Sequence, residues 1–293
     1  MMVAFWLACG KPEAPPPAPT ETSSPAPTDT GFDAPTVPDS EPTDDTDDTE
    51  PTEETGGTHS EETEPVGPIP WIDLDAGTLS SALVASWSDA ASGRSVTQAD
   101  VARQPGLGSA AGFPVVWTDG VDDRLVGDAP GLLGDAPFTV ILAGVVPGDQ
   151  LNDASVVAFG RLDLPISGAA VTIDDYAVVL HTGGGEAARP TSGTFTPWFD
   201  VPTVISVRRT PGGLSSTTTV RVGGAAVVVA GSAVAPAYLD GPLQLGGVDG
   251  LGHAAVGLGA VQLFDVALTD EELAAAECAL AEPRGITLAG GCP

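Results

Sequence analysis

From residue 68 onward the chain is a succession of short apolar or β-branched runs, each closed by Gly, Pro or Asp. The runs are "LVASW" (83–87), "FPVVW" (113–117), "FTVILAGVV" (138–146), "SVVAFG" (155–160), "YAVVLHT" (176–182), "TVISVRR" (203–209), "TTTVRVGG" (217–224), "AAVVVAG" (225–231), "LQLGG" (243–247) and "GAVQLF" (259–264). Apolar runs of this length, at this spacing and between turn residues, predict strands of a sandwich or barrel rather than βαβ units. One segment departs from that rhythm. "ALTDEELAAAECALAEP" predicts a helix with Thr269 at its N-cap and Glu272 completing a capping box. Asp270 and Glu271 favour the positive end of its dipole, and Pro283 ends it. The fold class read here is all-β: a two-sheet antiparallel jelly-roll sandwich with one short C-terminal helix, over residues 68–293.

The pattern is absent before residue 68. Residues 11–66 hold 16 Asp and Glu against one Lys, about half of the chain's net charge of −30. Almost nothing there is aliphatic or aromatic, so the segment cannot offset the entropy of ordering. Residues 10–67 are expected to be a disordered, acidic, Pro/Thr-rich linker. Fully extended at ~3.1 Å per residue, a stalk of this kind reaches roughly 180 Å. The ten basic residues among 293 are scattered, which argues against a nucleic-acid partner, since phosphate binding needs clustered cations.

The opening "MMVAFWLACGK" is a short apolar run with Ala8 before Cys9. It resembles the end of a bacterial lipoprotein signal, so residues 1–9 are read as a signal remnant. That resemblance implies lipidation at Cys9, a lipid anchor in the membrane, and a location at the bacterial outer membrane or cell surface. The other two cysteines, Cys278 and Cys292, lie close together at the far end, and an exported chain favours their pairing as a disulfide. A zinc site is the rival reading, but two Cys without a nearby His fall short of four ligands.

"WIDLDA" (71–76), "ASWSDAASGRSVTQA" (85–99), "RQP" (103–105), "FPVVWTDGVDDRL" (113–125), "LQLGG" (243–247) and "VQLFDVALTDEEL" (261–273) occur in that order. Together they resemble the laminin G-like branch of the concanavalin A-like lectin/glucanase superfamily. The resemblance implies a jelly roll used as an attachment or binding module outside the cell, with Trp71, Trp87 and Trp117 in the core. Near residue 260, where an acidic residue is common in that family, this chain reads Gly259-Ala260-Val261.

Candidate chemistry is sparse. Glucanase-type carboxylates would alternate along one strand, and the nearest strand-like acid, Asp163, stands between Leu162 and Leu164 with no partner two residues away. No G-x-S-x-G elbow or zinc-spaced His cluster occurs. Asp119, Asp122 and Asp123 follow a predicted strand. They read as a turn whose acids accept backbone N–H groups, with calcium ligation and an acid/base pair as alternatives. Trp198, flanked by Phe199 and Asp200, is the leading aromatic platform for a sugar, against packing over the sandwich edge. Tyr176 beside Asp174 and Asp175 is a second candidate, and His253 near Asp249 a third. The expectation is a non-catalytic, surface-tethered lipoprotein that binds an extracellular glycan, polymer or protein. A structural or protein-adhesion module without a sugar site is the alternative, and a glycan hydrolase comes third.

Overall fold

In the computed structural model the apolar runs become strands of two facing sheets. It describes residues 67–292 other than 149–153, 162–166, 175, 183–184, 191–193, 213–215, 233–237 and 249–251. The run before Cys9, the acidic stalk, Asp163, Asp175 and Asp249 lie outside the described residues.

The first sheet runs in the order β14 (Ala225–Ser232), β13 (Ser216–Val222), β12 (Thr203–Pro211), β7 (Phe138–Val145), β18 (Ala255–Phe264), β5 (Phe113–Asp119) and β4 (Gly106–Ala110), with β1 (Ile72–Asp75) paired to β18 beyond the end of β5. The second runs β11 (Gly185–Ala188), β10 (Ala177–Thr182), β9 (Ser167–Asp174), β8 (Ala154–Arg161), β15 (Pro242–Leu245), β6 (Leu125–Asp128), β3 (Ser95–Thr97) and β2 (Ser86–Ser88). The short β16 (Gly247–Val248) and β17 (Gly252–His253) sit beside β8. Every pair but β17 with β8 is antiparallel, and the chain crosses between sheets at β5–β6, β6–β7 and β7–β8, as a jelly roll requires. This is the two-sheet antiparallel sandwich that the pattern predicts.

The space between the sheets is filled by Ile72, Leu74, Trp87, Phe138, Phe159 and Tyr238, all buried. Phe138 meets the edges of Phe159 at 4.9 Å and Tyr238 at 6.0 Å between ring centroids, the arrangement that ring quadrupoles prefer. A second cluster explains why β7 is apolar without alternation. Its Val140 and Leu142 face the sandwich interior, while Ile141 and Ala143 face outward onto Leu273, Leu280 and Ala281. Those three belong to the helix α1 (Asp270–Ala281). A strand covered on both faces loses the period of two.

The helix starts as its sequence predicts. Thr269 Oγ1 accepts from Glu272 N at 3.2 Å and Glu272 Oε2 accepts from Thr269 N at 2.7 Å, so two otherwise orphaned donors are satisfied reciprocally. Cys278 on this helix is bridged to Cys292 with their Cα atoms 5.5 Å apart.

Of the three tryptophans expected in the core, Trp87 is fully buried. Trp71 and Trp117 are half-buried. Trp71 carries the Arg94 guanidinium 4.4 Å above its ring. Trp117 lies on the outward face of β5, over Gly108 and Gly257, where an added Cβ would meet its ring at 2.6 and 3.1 Å. Ala260 is buried against α1.

Candidate functional site

Two of the sequence-level candidates converge at one end of the sandwich. Tyr176 sits in the turn that joins β9 to β10, where Asp174 pairs with Ala177. The second segment is a single 3-10 turn, Thr196–Trp198, that precedes β12. They are joined by Phe195 N, which donates to Tyr176 O at 2.8 Å. Phe199 fills the angle between them. Its ring meets Tyr176 edge-on at 5.9 Å and Phe195 at 5.3 Å. Phe195 is buried beneath, Phe199 and Trp198 are half-buried, and Tyr176 is 38% exposed. The aromatic surface therefore grades from core to solvent.

Trp198 packs against the main core, and its ring tip rests on the β13–β14 turn. An added Cβ at Gly223 would lie 2.4 Å from Trp198 Cη2, and Gly223 has φ +59°. Only glycine admits both that approach and that backbone conformation. The indole is thus held between the core and the β13–β14 turn, and the residue is half-buried.

Asp200 lies beside this cluster. Its Oδ1 accepts from Gly148 N at 3.0 Å and its own N donates to Val146 O at 2.8 Å, which pins the loop to the end of β7. Tyr176 and Asp200 both adopt left-handed backbone, at φ +57° and +59°. An aspartate tolerates this, but a tyrosine there costs of order 1 kcal/mol or more. Two such residues in one cluster mark a place where the surrounding packing imposes local strain. Asp174, at the foot of the same turn, forms an ion pair with Arg189. Chemically this end offers aromatic faces and acceptor oxygens, with the nearby guanidinium engaged by Asp174.

The three loop acids also come together. One carboxylate oxygen from each of Asp119, Asp122 and Asp123 lies within 4.8 Å of the others. Asp119 Oδ1 accepts from Val121, Asp122 and Asp123 N at 2.8, 3.2 and 3.3 Å, while Asp123 Oδ2 accepts from Asp119 N at 3.2 Å. Partial burial pushes the Asp119 carboxyl up, but the N–H donors outweigh it and hold it below its ordinary value. Burial, then the Asp119 charge, pushes Asp123 up. Asp122 faces Arg103 Nε at 3.7 Å. This is the hydrogen-bonding pattern of a turn closed by an aspartate. The carboxylate oxygens form a hard donor set of the kind Ca2+ takes. His253 sits here as well, with Nδ1 3.4 Å from Asp123 O.

Sequence reading had no signal for Phe195, which looks like one more apolar residue in a loop. Its role as the floor of the cluster follows from the pairing of two distant segments.

No protein-family model and no curated protein matches the chain. Among solved structures, Trypanosoma rangeli sialidase in complex with 2,3-difluorosialic acid (a covalent intermediate) superposes with a TM-score of 0.51 at 12% identity, over 72% of this chain and 32% of that one. The same sialidase with 2,3-difluoro-KDN gives 0.50, with the same identity and coverage. The Ruminococcus gnavus IT-sialidase CBM40 gives 0.38 at 12% identity, over 52% of this chain and 98% of that one. This chain spans about a third of the length of the T. rangeli sialidase chains. What is shared is the fold.

Proposed function

We propose that this chain is a non-catalytic glycan-binding module, of the laminin G-like branch of the concanavalin A-like superfamily. In this reading a lipid on Cys9 anchors it at the bacterial outer membrane or cell surface, and the acidic stalk sets the sandwich away from the membrane. The observation that supports glycan binding is the convergence of Tyr176, Trp198, Phe199 and Asp200 from two separate loops onto one end of the sandwich. Sugar rings present C–H faces that pack on aromatic rings and hydroxyls that donate to fixed carboxylates, and this cluster offers both. The strained Tyr176 is consistent with a residue kept for contact rather than for stability. Support from the comparisons is limited to the fold, which is shared with a sialidase solved with a sialic-acid derivative.

The test is binding of the full chain to a glycan array and to insoluble polysaccharides, with calcium and with EDTA. Binding that persists in EDTA and is lost in Trp198→Ala is the expected result. Binding abolished by EDTA would instead give Asp119, Asp122 and Asp123 a calcium role. No binding to any saccharide would end the proposal in favour of a protein partner or a structural role. Anchoring is tested separately by mass spectrometry of the native protein, where an unmodified N-terminus ahead of Cys9 would exclude it.

A further inference from the structure

Cations are scarce in the folded part, and each is already engaged. Residues 67–293 contain 24 Asp and Glu, nine Arg and no Lys. Arg94 lies over Trp71 and donates to its carbonyl oxygen at 2.7 Å. Arg208, Arg209, Arg221 and Arg284 pair with Asp270, Asp135, Glu277 and Asp75. Arg124 and Arg161 have partners as well. Arg161 is also remote from the aromatic cluster. It stands opposite Ser167 at the start of β9, whereas Asp174, at the foot of the Tyr176 turn, ends that strand. Seven residues of strand separate the two, roughly 24 Å.

The aromatic end, by contrast, gathers carboxylates. Thr203 at the start of β12 lies opposite Gly144, Gly257 lies opposite both Val145 and Trp117, and Ala255 lies opposite Asp119. Asp200, which leads into β12, and Asp119, which ends β5, therefore leave the first sheet at the same end. Their strands are three strand spacings apart, roughly 14 Å. The loop after β5 adds Asp122 and Asp123. The second sheet adds Asp174. Two guanidinium groups reach this end, and both face acids: Arg189 pairs with Asp174, and Arg103 stands 3.7 Å from Asp122.

This arrangement discriminates by charge and by hydrogen-bonding sense. An anionic group held ~6 Å from one carboxylate loses about threefold in affinity through water, and more where water is excluded. A sugar carboxylate or sulfate is, like an aspartate, only an acceptor, so it gains no hydrogen bond in return. A hydroxyl donates to such acceptors and carries no charge.

We propose that the aromatic end selects neutral saccharides over acidic ones, with the Asp200 carboxylate contributing to the choice. The proposal rests on the glycan-binding reading and narrows it to an uncharged, hydroxyl-bearing ligand. A fold shared with a sialidase solved with difluorosialic acid does not, on this inference, extend to a shared acidic ligand.

The experiment uses the full chain on an array of matched glycan pairs, in which one member carries a sialic acid, a uronic acid or a sulfate and the other does not. EDTA is present throughout, so that the loop acids stay free of metal. At about 20 mM NaCl the neutral member of each bound pair should be held roughly tenfold or more tighter. At about 500 mM NaCl the gap should narrow, because salt screens the repulsion but not the ring contacts. Asp200→Asn keeps a side chain suited to left-handed backbone and an oxygen that can accept from Gly148 N. It should narrow the low-salt preference about threefold, with its thermal midpoint reporting that it folds. Acidic members bound as tightly as their neutral partners, or a preference indifferent to salt, would overturn the proposal in the wild-type chain alone. A preference unchanged in folded Asp200→Asn would remove Asp200 from it. Absence of binding to every saccharide is a different failure: it falls on the glycan-binding reading and takes this inference with it.

Discussion

Ser206 Oγ donates to Glu277 Oε1 at 2.6 Å across the interface between β12 and α1, and both side chains are buried. The other carboxylate oxygen of Glu277 stands 3.0 Å from Arg221 on β13. Arg208, two residues along β12 from Ser206, donates to Leu268 O at 2.8 Å and pairs with Asp270 at 2.7 Å. The helix is therefore held to the sheet by polar contacts at both ends of its first two turns as well as by its apolar face. A buried acid on a helix with five alanines is a costly choice unless its charge is met, and here two strands meet it.

Burial pushes the Glu277 carboxyl above its ordinary 4.5, with the Ser206 bond and Arg221 opposing. A raised carboxyl binds its proton more readily folded than unfolded. Its contribution is thus full below the unfolded value and lost as pH rises through the folded one. Unfolding free energies of wild type and Glu277→Gln, measured from about pH 4.5 to 8, should differ increasingly in favour of wild type as pH falls. A difference that is flat, or that grows with pH, would contradict this reading.

The Cys278–Cys292 bridge spans a sequence separation of 14 residues and ties α1 to the C-terminal tail. A loop of that size is worth roughly 3 kcal/mol in the chain-entropy model. Cys292→Ser should lower the thermal midpoint by about 10 °C, and reducing agent should do the same to wild type while leaving the variant unchanged.

Tyr176 separates stability from recognition. Tyr176→Asn keeps a residue that accepts left-handed backbone but loses the ring packed on Phe199. The two effects oppose, so unfolding free energy should stay within about 1 kcal/mol of wild type. Saccharide binding, read on the same array, should fall at least as far as in Trp198→Ala. Retained binding would remove Tyr176 from the site.

Asp119→Ala deletes the acceptor for three backbone N–H groups and should cost about 1–3 kcal/mol at neutral pH. Because the Asp119 carboxyl lies below its ordinary 3.8, its contribution is present above that value and disappears as pH falls through the folded one. The variant should therefore approach wild type as the pH is taken down below the ordinary carboxylate range. Chemical unfolding across pH, with and without EDTA, checks this. A wild-type stability that EDTA lowers would mean that the carboxylates hold calcium and not the turn alone.

All ten apolar runs contain or overlap strands, because each carries its own local information: β-branched residues, turn punctuation, and for β7 an apolar run too long to alternate. The capping box was equally legible, since it is written within four residues. Strand β9, "SGAAVTID", was not. Its outward positions are Gly168, Ala170 and Thr172, matched across β8 by Gly160, Ala158 and Ser155, and a strand built from small residues has little apolar signal to read.

The sequence by itself determined what is local: which segments are strands, where the helix begins, that residues 11–66 have almost no means of forming a core, and which two cysteines lie within reach of each other. Tertiary structure alone decided which distant segments meet. Asp73 faces Gln262 because β1 extends the sheet beside β18, and Tyr176 reaches Phe199 because a hairpin turn and a pre-strand loop share one end of the sandwich. Such pairings depend on register and sheet order, set by burying two faces at once, and no short window of the chain carries that information.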